Sequence, residues 1–157
     1  MIAHENPEGG CQCGSIRYRI TQSPRILYTC HCTDCQKQSS SAFGMSLIVD
    51  ASAVEFVAGA RRLKFWDTQR DDGKLKRCAF CPDCGTRLYH GSEDDKRISI
   101  KAGSLDDTRS LKPIAHIWLR SAQSWISFDD DQFHCFEQEP DNEEALEQQW
   151  QQHTSNR

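Results

Sequence analysis

Apolar and polar residues alternate in short runs along most of the chain. Ile16–Ile20 has the strict alternation of a half-buried strand, and Phe43–Val49 is an apolar run of strand length. Similar short runs predict strands at residues 54–57, 63–66, 75–80, 98–101, 114–119 and 125–128. Clusters of Gly, Pro, Asp and Ser separate these runs. Many short strands divided by turn signals predict a mainly β fold.

The charge of the 157-residue chain is unevenly distributed. Residues 1–128 carry 18 Lys and Arg against 14 Asp and Glu, a net charge of +4, whereas residues 129–157 carry one Arg and nine acids, a net charge of −8. A mildly basic body suits a small anionic ligand, and the acidic tail disfavours nucleic acid as a partner. The pattern predicts one domain over residues 1–130 and an acidic tail over residues 131–157.

The tail contains a short helical pattern, which runs from Asn142 to about His153. Leu146 and Trp150 are four residues apart and share one face of such a helix. We expect this face to dock on the body of the domain, and we expect residues 154–157 to be disordered.

The chain is expected to stay in a reducing compartment. It has no run of 18 apolar residues that would predict a membrane span, and residues 1–10 lack the basic and apolar regions of a signal peptide. We therefore expect a cytoplasmic protein. In that setting nine cysteines are expected to be metal ligands or reactive thiols rather than disulfides.

Two closely spaced cysteine pairs, each followed directly by a glycine, have the pattern of a structural zinc site. The pairs are Cys11 with Cys13, and Cys81 with Cys84. In the second pair Pro82 presets the turn, and Gly85 can take a positive φ that points backbone N–H groups at the sulfurs. Structural zinc is four-coordinate, so each pair needs a second pair. The four cysteines are therefore predicted to hold one zinc ion.

A third cluster places three cysteines within six residues: Cys30, Cys32 and Cys35. The residues after it predict a short helix from position 33 to about 40, capped by Thr33 or Asp34. Cys35 then lies near the helix N-terminus, where the helix dipole favours a thiolate. Three thiolates on one zinc leave a fourth position for water or substrate, which is typical of a catalytic site.

Other arrangements of this third cluster are open. His31 lies between two predicted ligands, and we expect its side chain to point away. Cys78 or Cys135 could supply the fourth ligand instead. A site with three cysteines and an open position is also readily stripped or oxidised, so it could be empty of metal or only partly occupied.

The three clusters occur in an order that resembles a known family. The similar segments are Gly10–Tyr18, Cys30–Lys37 and Phe80–Thr86, followed by Ile100–Asp107, His116–Trp118 and Trp125–Ile126. They are similar to the glutathione-dependent formaldehyde-activating enzyme family, also called the GFA or CENP-V domain. The ordered triple of clusters is the specific part of this resemblance.

The resemblance implies a fold, two metal sites and an activity. The fold would be Mss4-like, built of small antiparallel sheets stapled by zinc. A structural zinc would be held by Cys11, Cys13, Cys81 and Cys84, and a second, catalytic zinc by Cys30, Cys32 and Cys35. The family's founding activity joins glutathione to formaldehyde as S-hydroxymethylglutathione and is classed with the carbon–sulfur lyases.

Two classes of function follow. The first is a zinc-dependent carbon–sulfur lyase that handles a small thiol such as glutathione and its aldehyde adduct. The alternative is a non-catalytic binding module that uses zinc only to fold, or a zinc or redox sensor based on exposed thiolates. The third cluster favours the enzyme, because a pure binding module needs only the closed four-cysteine site. No segment is singled out as a glutathione pocket.

Overall fold

The structure is a computed structural model that describes residues 6–69, 73–92, 95–128 and 133–155. Within these residues the strands are β1 (Glu8–Gly10), β2 (Arg17–Ile20), β3 (Ile26–Cys30), β4 (Gly44–Asp50), β5 (Val54–Ala58), β6 (Lys64–Gln69), β7 (Leu75–Phe80), β8 (Arg87–Gly91), β9 (Arg97–Lys101), β10 (Ala115–Ile117) and β11 (His134–Cys135). The two α-helices of the described residues are α1 (Thr33–Ser39) and α2 (Glu143–Ser155). The prediction of a mainly β fold with two short helices is confirmed. No helix among the described residues has the length and apolar character needed to cross a membrane.

The strands form two sheets. The smaller sheet has the order β1-β2-β5, and its pairs are antiparallel. The larger sheet has eight strands in the order β11-β10-β3-β4-β9-β8-β7-β6. Its pairs are antiparallel except at one edge, where β10 runs parallel to both β3 and β11.

The centre of the larger sheet has one apolar face and one more polar face. The apolar face carries the register pairs Leu47 with Ile100 and Val49 with Ile98. The other face carries Ser46 with Lys101 and Ile48 with Ser99. Successive side chains of a strand point to opposite faces, which separates the two sets. The apolar face shares one core with Tyr18 and Ile20 of the smaller sheet, and the polar face includes Cys30, which is opposite Gly44.

Helix α2 docks on the body, as its apolar face predicts. Leu146 and Trp150 are 4% and 5% exposed and belong to the main core. Asn142 caps the helix, because its Oδ1 atom accepts a hydrogen bond from the backbone N–H of Ala145 at 3.0 Å. The helix continues through Ser155, so the prediction of disorder is wrong for residues 154 and 155. Residues 156 and 157, and the predicted domain boundary at residue 130, lie outside the described residues.

One predicted strand is absent, and four observed strands had no predicted counterpart. The segment 125–128 forms no strand. Its apolar side chains have other uses: Phe128 packs against the rings of His31 and His116, whereas Trp125 is 71% exposed. The unpredicted strands are β1, β3, β8 and β11. β3 is buried on both faces, so its sequence lacks the alternation that identifies a half-buried strand.

Candidate functional site

Two turns bring the first and third cysteine clusters together. The sulfurs of Cys11, Cys13, Cys81 and Cys84 all lie within 4.8 Å of one another. Gly14 and Gly85 follow the pairs with φ angles of 76° and 72°, in the left-handed region that glycine adopts without steric cost. Each glycine N–H donates to the carbonyl of the first cysteine of its pair at 2.9 Å. Each cysteine pair therefore lies in a turn that a glycine closes, and the two turns lie against each other.

The four-sulfur group has the donors and spacing that a zinc ion requires. A tetrahedral zinc with Zn–S bonds of about 2.3 Å separates its sulfurs by about 3.8 Å. The sulfur of Cys13 lies 3.5 Å from that of Cys11 and 3.8 Å from that of Cys81. Hydroxyl groups surround the sulfurs, because the Ser15 Oγ atom is 3.2 Å from the Cys13 sulfur and the Thr86 Oγ1 atom is 3.2 Å from the Cys84 sulfur. These donors suit thiolate ligands.

The middle cluster forms a second group of sulfurs at the junction of β3 and α1. Cys30 ends β3, and the sulfurs of Cys30, Cys32 and Cys35 lie within 4.8 Å of one another. The cap of α1 is Cys32, whose sulfur accepts from the backbone N–H of Cys35 at 3.4 Å. The prediction of Thr33 or Asp34 as the cap is therefore wrong, because a potential metal ligand takes that position.

Cys35 lies beside a glycine of the neighbouring strand. A Cβ atom built on Gly44 would lie 3.4 Å from the Cys35 Cβ atom and 3.8 Å from its sulfur. Gly44 is the strand partner of Cys30 across β3 and β4. Both distances are ordinary van der Waals contacts, so Cys35 of α1 packs directly beside Gly44 of β4.

Three thiols at this separation do not ionise independently. Hydrogen bonding with Cys32 and Cys35 raises the pKa of the Cys30 thiol, while hydrogen bonding with Cys30 lowers the pKa of the Cys32 thiol to about 2. One sulfur thus keeps a proton that another has lost. A bound cation would be needed for all three to be thiolates at neutral pH, so the donor set fits a thiophilic metal.

Among the residues that the structure describes, no fourth His, Cys, Asp or Glu has a ligand atom within 4.8 Å of all three sulfurs. Cys78 and Cys135, the two candidates for closing the site, are outside the group. The His31 ring lies 5.4 Å from the His116 ring and 5.2 Å from the Phe128 ring, in an aromatic cluster. Burial there lowers the pKa of His31 to about 4, so its ring is neutral at physiological pH.

A groove of about 930 Å³ lies over the three-sulfur group. Its lining includes Cys30, Cys32 and Cys35, but no member of the four-sulfur group. This volume is in the range of sites that enclose small molecules. A small molecule in the groove would therefore reach the three-sulfur group but not the four-sulfur group.

The groove has charged side chains of both signs. The basic ones are Lys76, Lys96, Arg97 and Arg120, and the acidic ones are Asp34, Asp95, Glu139 and Glu143. Ser99 adds a polar group to the lining: it is 5% exposed, and its buried Oγ atom has no hydrogen-bond partner among the described residues. This lining could not be predicted from the sequence, because strands distant in the chain supply it.

The residues after β10 form one wall of the groove. Trp118 has a φ of 62°, which is rare for an aromatic residue, and its backbone N–H donates to Gln138 at 3.0 Å. The Trp118 indole N–H donates to the Glu139 carboxylate at 2.7 Å. The Arg120 guanidinium lies 4.6 Å from the centre of the Trp118 ring. These contacts fix the acidic C-terminal segment beside the groove.

Comparison with known proteins decides the family. The sequence model described as "Glutathione-dependent formaldehyde-activating enzyme" matches residues 6–121, most of the chain. The chain belongs to this family. The family resemblance of the ordered cysteine clusters is thus confirmed, and both sulfur groups lie inside the matched region.

Two individual proteins are similar to different shares of the chain. A Penicillium rubens protein, by name a candidate glutathione-dependent formaldehyde-activating enzyme, is 31% identical over 87 residues. That alignment covers 54% of this chain and 44% of the relative, so the chain spans under half of the relative's length. A crystal structure of a Rhodobacter sphaeroides protein has a TM-score of 0.49 and 14% identity, covering 82% of this chain and 98% of the other.

Some residues that line the groove lie beyond the segment that the family model matches. Glu139 and Glu143 line the groove and lie beyond residue 121, the last residue of the match. Arg120 is at the end of the matched region. The family model therefore covers the sulfur groups, while the C-terminal segment contributes groove residues of its own.

Proposed function

We propose that the protein is a zinc-dependent carbon–sulfur lyase of the glutathione-dependent formaldehyde-activating type. It would interconvert a small thiol and an aldehyde with their hydroxyalkyl thioether, S-hydroxymethylglutathione in the case of glutathione and formaldehyde. In the forward direction a C–S bond forms, the C=O π bond breaks, and the thiol proton ends on the former carbonyl oxygen. The observation that carries the proposal is the three-sulfur group at the base of a ligand-sized groove.

The two sulfur groups are assigned different roles. Cys11, Cys13, Cys81 and Cys84 would hold a structural zinc, and Cys30, Cys32 and Cys35 would hold the second zinc. A zinc ion at the second site supplies a Lewis acid and a soft centre that favours a thiolate over a thiol. Three thiolate donors leave that site with a net charge of about −1, which suits a fourth sulfur better than the generation of hydroxide.

Arg120 is the residue proposed to bind a carboxylate of the thiol. Glutathione carries two carboxylates and one ammonium group at neutral pH. Arg97 is already occupied by Glu147 at 2.6 Å, and Lys76 lies 3.8 Å from Asp34. Among the residues described, Arg120 forms no ion pair, and its guanidinium is oriented by the Trp118 ring. Arginine presents a planar set of donors that matches a carboxylate.

The acidic side of the groove would bind the ammonium group. Glu139 and Glu143 line the groove together with Trp118, and partial desolvation raises the pKa of Glu143 above its ordinary value. A cationic ligand group would favour the ionised form of that carboxyl. The mixed charges of the groove thus fit a zwitterionic thiol better than a simple anion.

Tyr28 is the proposed hydrogen-bond donor to the substrate oxygen. It lies two residues before Cys30 on β3, so both side chains are on the same face of the strand. It also lines the groove. Burial raises the pKa of Tyr28 well above its ordinary value, which keeps the hydroxyl protonated. Such a group can donate to the aldehyde oxygen as charge develops on it.

Exchange NMR tests this function directly. Glutathione and formaldehyde add to each other without a catalyst, so the measured quantity is the exchange rate between free formaldehyde and the adduct, above the buffer rate. Zinc-loaded wild-type protein is expected to raise that rate. The Cys35→Ser variant should match buffer, although its circular dichroism spectrum is unchanged, because the four-sulfur site is intact. An exchange rate at the buffer level for the wild type with both sites loaded would favour the non-catalytic binding module.

A further inference from the structure

Lys101 is buried on the polar face of the larger sheet without a hydrogen-bond partner. Its Nζ atom has essentially no solvent contact, and it has no acceptor within hydrogen-bond distance among the described residues. Burying an ammonium group away from water is unfavourable unless nearby negative charge compensates for it. A lysine in this position is charged only where negative charge lies close to it, and no hydrogen-bonded carboxylate of the described residues supplies that charge.

The strand register places Lys101 beside the three-sulfur group. Lys101 on β9 is opposite Ser46 on β4. Two residues earlier on β4, Gly44 is opposite Cys30 and lies beside Cys35. Positions two residues apart on a strand share a face. Lys101 thus lies on the same face as the sulfurs, one step along the neighbouring strand.

The charges around Lys101 identify its counterpart. Burial is the largest influence on the pKa of Lys101 and lowers it, whereas the sulfurs of Cys35, Cys78 and Cys30 act in the opposite direction. Lys76 is a second cation and has a carboxylate of its own in Asp34, 3.8 Å away. The sulfurs of the three-cysteine group lie on the same face as Lys101, and as thiolates they would supply the negative charge that keeps its ammonium ionised.

We propose that Lys101 is the counter-charge of the three-cysteine metal site. Three thiolates and a divalent zinc ion carry a net charge of about −1, and one buried ammonium group balances it. This inference rests on the metal assignment made under the proposed function. Lys101 is absent from the lining of the groove, so it is a positioning residue rather than a substrate contact.

The four-sulfur group is compensated in a different way. There the Ser15 and Thr86 hydroxyls lie 3.2 Å from sulfurs, and the backbone N–H of Ile16 donates to the Cys11 sulfur at 3.2 Å. Lys101 should therefore affect metal binding at one site and leave the other unchanged. That difference provides an internal control within a single protein.

Competitive zinc titration tests the inference. Metal-free full-length protein is titrated with Zn²⁺ in the presence of a chromophoric chelator, and the affinities of the two equivalents are fitted separately. Lys101→Met should weaken the second equivalent about 10- to 100-fold, the usual effect of removing a group that supports metal ligands. Lys101→Arg keeps the charge and should restore most of this affinity. Lys112→Met removes a charge from an exposed position and should bind both equivalents as the wild type does.

Three results of the zinc titration would contradict the proposed role of Lys101, each for a different reason. If Lys101→Met binds both equivalents with wild-type affinity, the role of Lys101 is refuted while the metal site stands. If Lys101→Met and Lys101→Arg both lose affinity at both sites, Lys101 is needed for folding and the inference is wrong. If the wild type binds only one equivalent, the second metal site fails and the role of Lys101 fails with it.

Discussion

Glu147 connects helix α2 to the rim of the groove, and replacing it should destabilise the domain measurably. Glu147 is 8% exposed and lies next to the core residue Leu146. It accepts from Arg97 at 2.6 Å and from Arg25 at 3.5 Å. Glu147→Gln keeps the shape but removes the charge from both contacts, so the arginines lose their carboxylate partner on the helix.

The structure sets the size of this effect. A hydrogen bond to a charged group contributes about 1.5–3 kcal/mol, and the side chain of Glu147 is only 10% exposed. The arginine side chains are 35% and 38% exposed, so solvent screening favours the lower half of that range. A loss of about 1.5–2 kcal/mol lowers the melting temperature of a domain this size by roughly 3–8 °C.

Thermal unfolding followed by circular dichroism measures this loss. Glu144→Gln is the matched control, because Glu144 is exposed on the same helix and loses the same charge. The control should stay within about 0.5 kcal/mol of the wild type. Equal melting temperatures for Glu147→Gln and Glu144→Gln would refute the view that this ion network holds α2 against the groove.

Three further predictions concern the sulfur groups and the groove. Cys84→Ser should prevent folding or soluble expression, because a structural zinc contributes on the order of 10–16 kcal/mol; wild-type melting temperature and zinc content in this variant would disprove the structural role. Arg120→Ala should raise KM for glutathione about 10-fold, the effect of losing roughly 1.4 kcal/mol of binding, and should leave KM for 2-mercaptoethanol, which has no carboxylate, unchanged; equal effects on the two thiols would argue against a carboxylate contact. Tyr28→Phe should lower kcat about 100-fold with little change in KM, as expected for a donor that acts on the transition state; an unchanged kcat would exclude that role.

The cysteine turns were predictable because short-range sequence determines them. A glycine directly after Cys13 or Cys84 marks a turn that needs a positive φ, and both glycines have one. The pairing of the two turns followed from the coordination number of structural zinc. The cap at Cys32 was missed because Thr33 and Asp34 are ordinary capping residues, and a thiol that caps a helix has no comparable sequence signal.

The groove and Lys101 could not be predicted, because they depend on strand register. Lys101 meets Ser46 across two strands that are far apart in the chain, and a shift of one residue would turn its side chain to the apolar face. Glu139 enters the groove wall through a hydrogen bond to Trp118, which has an uncommon backbone conformation. The strand predicted at residues 125–128 is absent for a related reason, because tertiary contacts decide where its side chains go. The apolar side chain of Phe128 packs in an aromatic cluster around His31.

Cadmium-113 NMR tests the central claim most directly, because it resolves the two metal sites separately. Cadmium-substituted wild-type protein should give two resonances, and Cys35→Ser should lose the one that belongs to Cys30, Cys32 and Cys35. Added glutathione should shift that resonance toward the position of the four-sulfur site and leave the other unchanged, since a thiolate would complete the sulfur set. A resonance that stays in place at saturating glutathione would contradict thiol binding at the three-cysteine site and, with it, the proposed lyase.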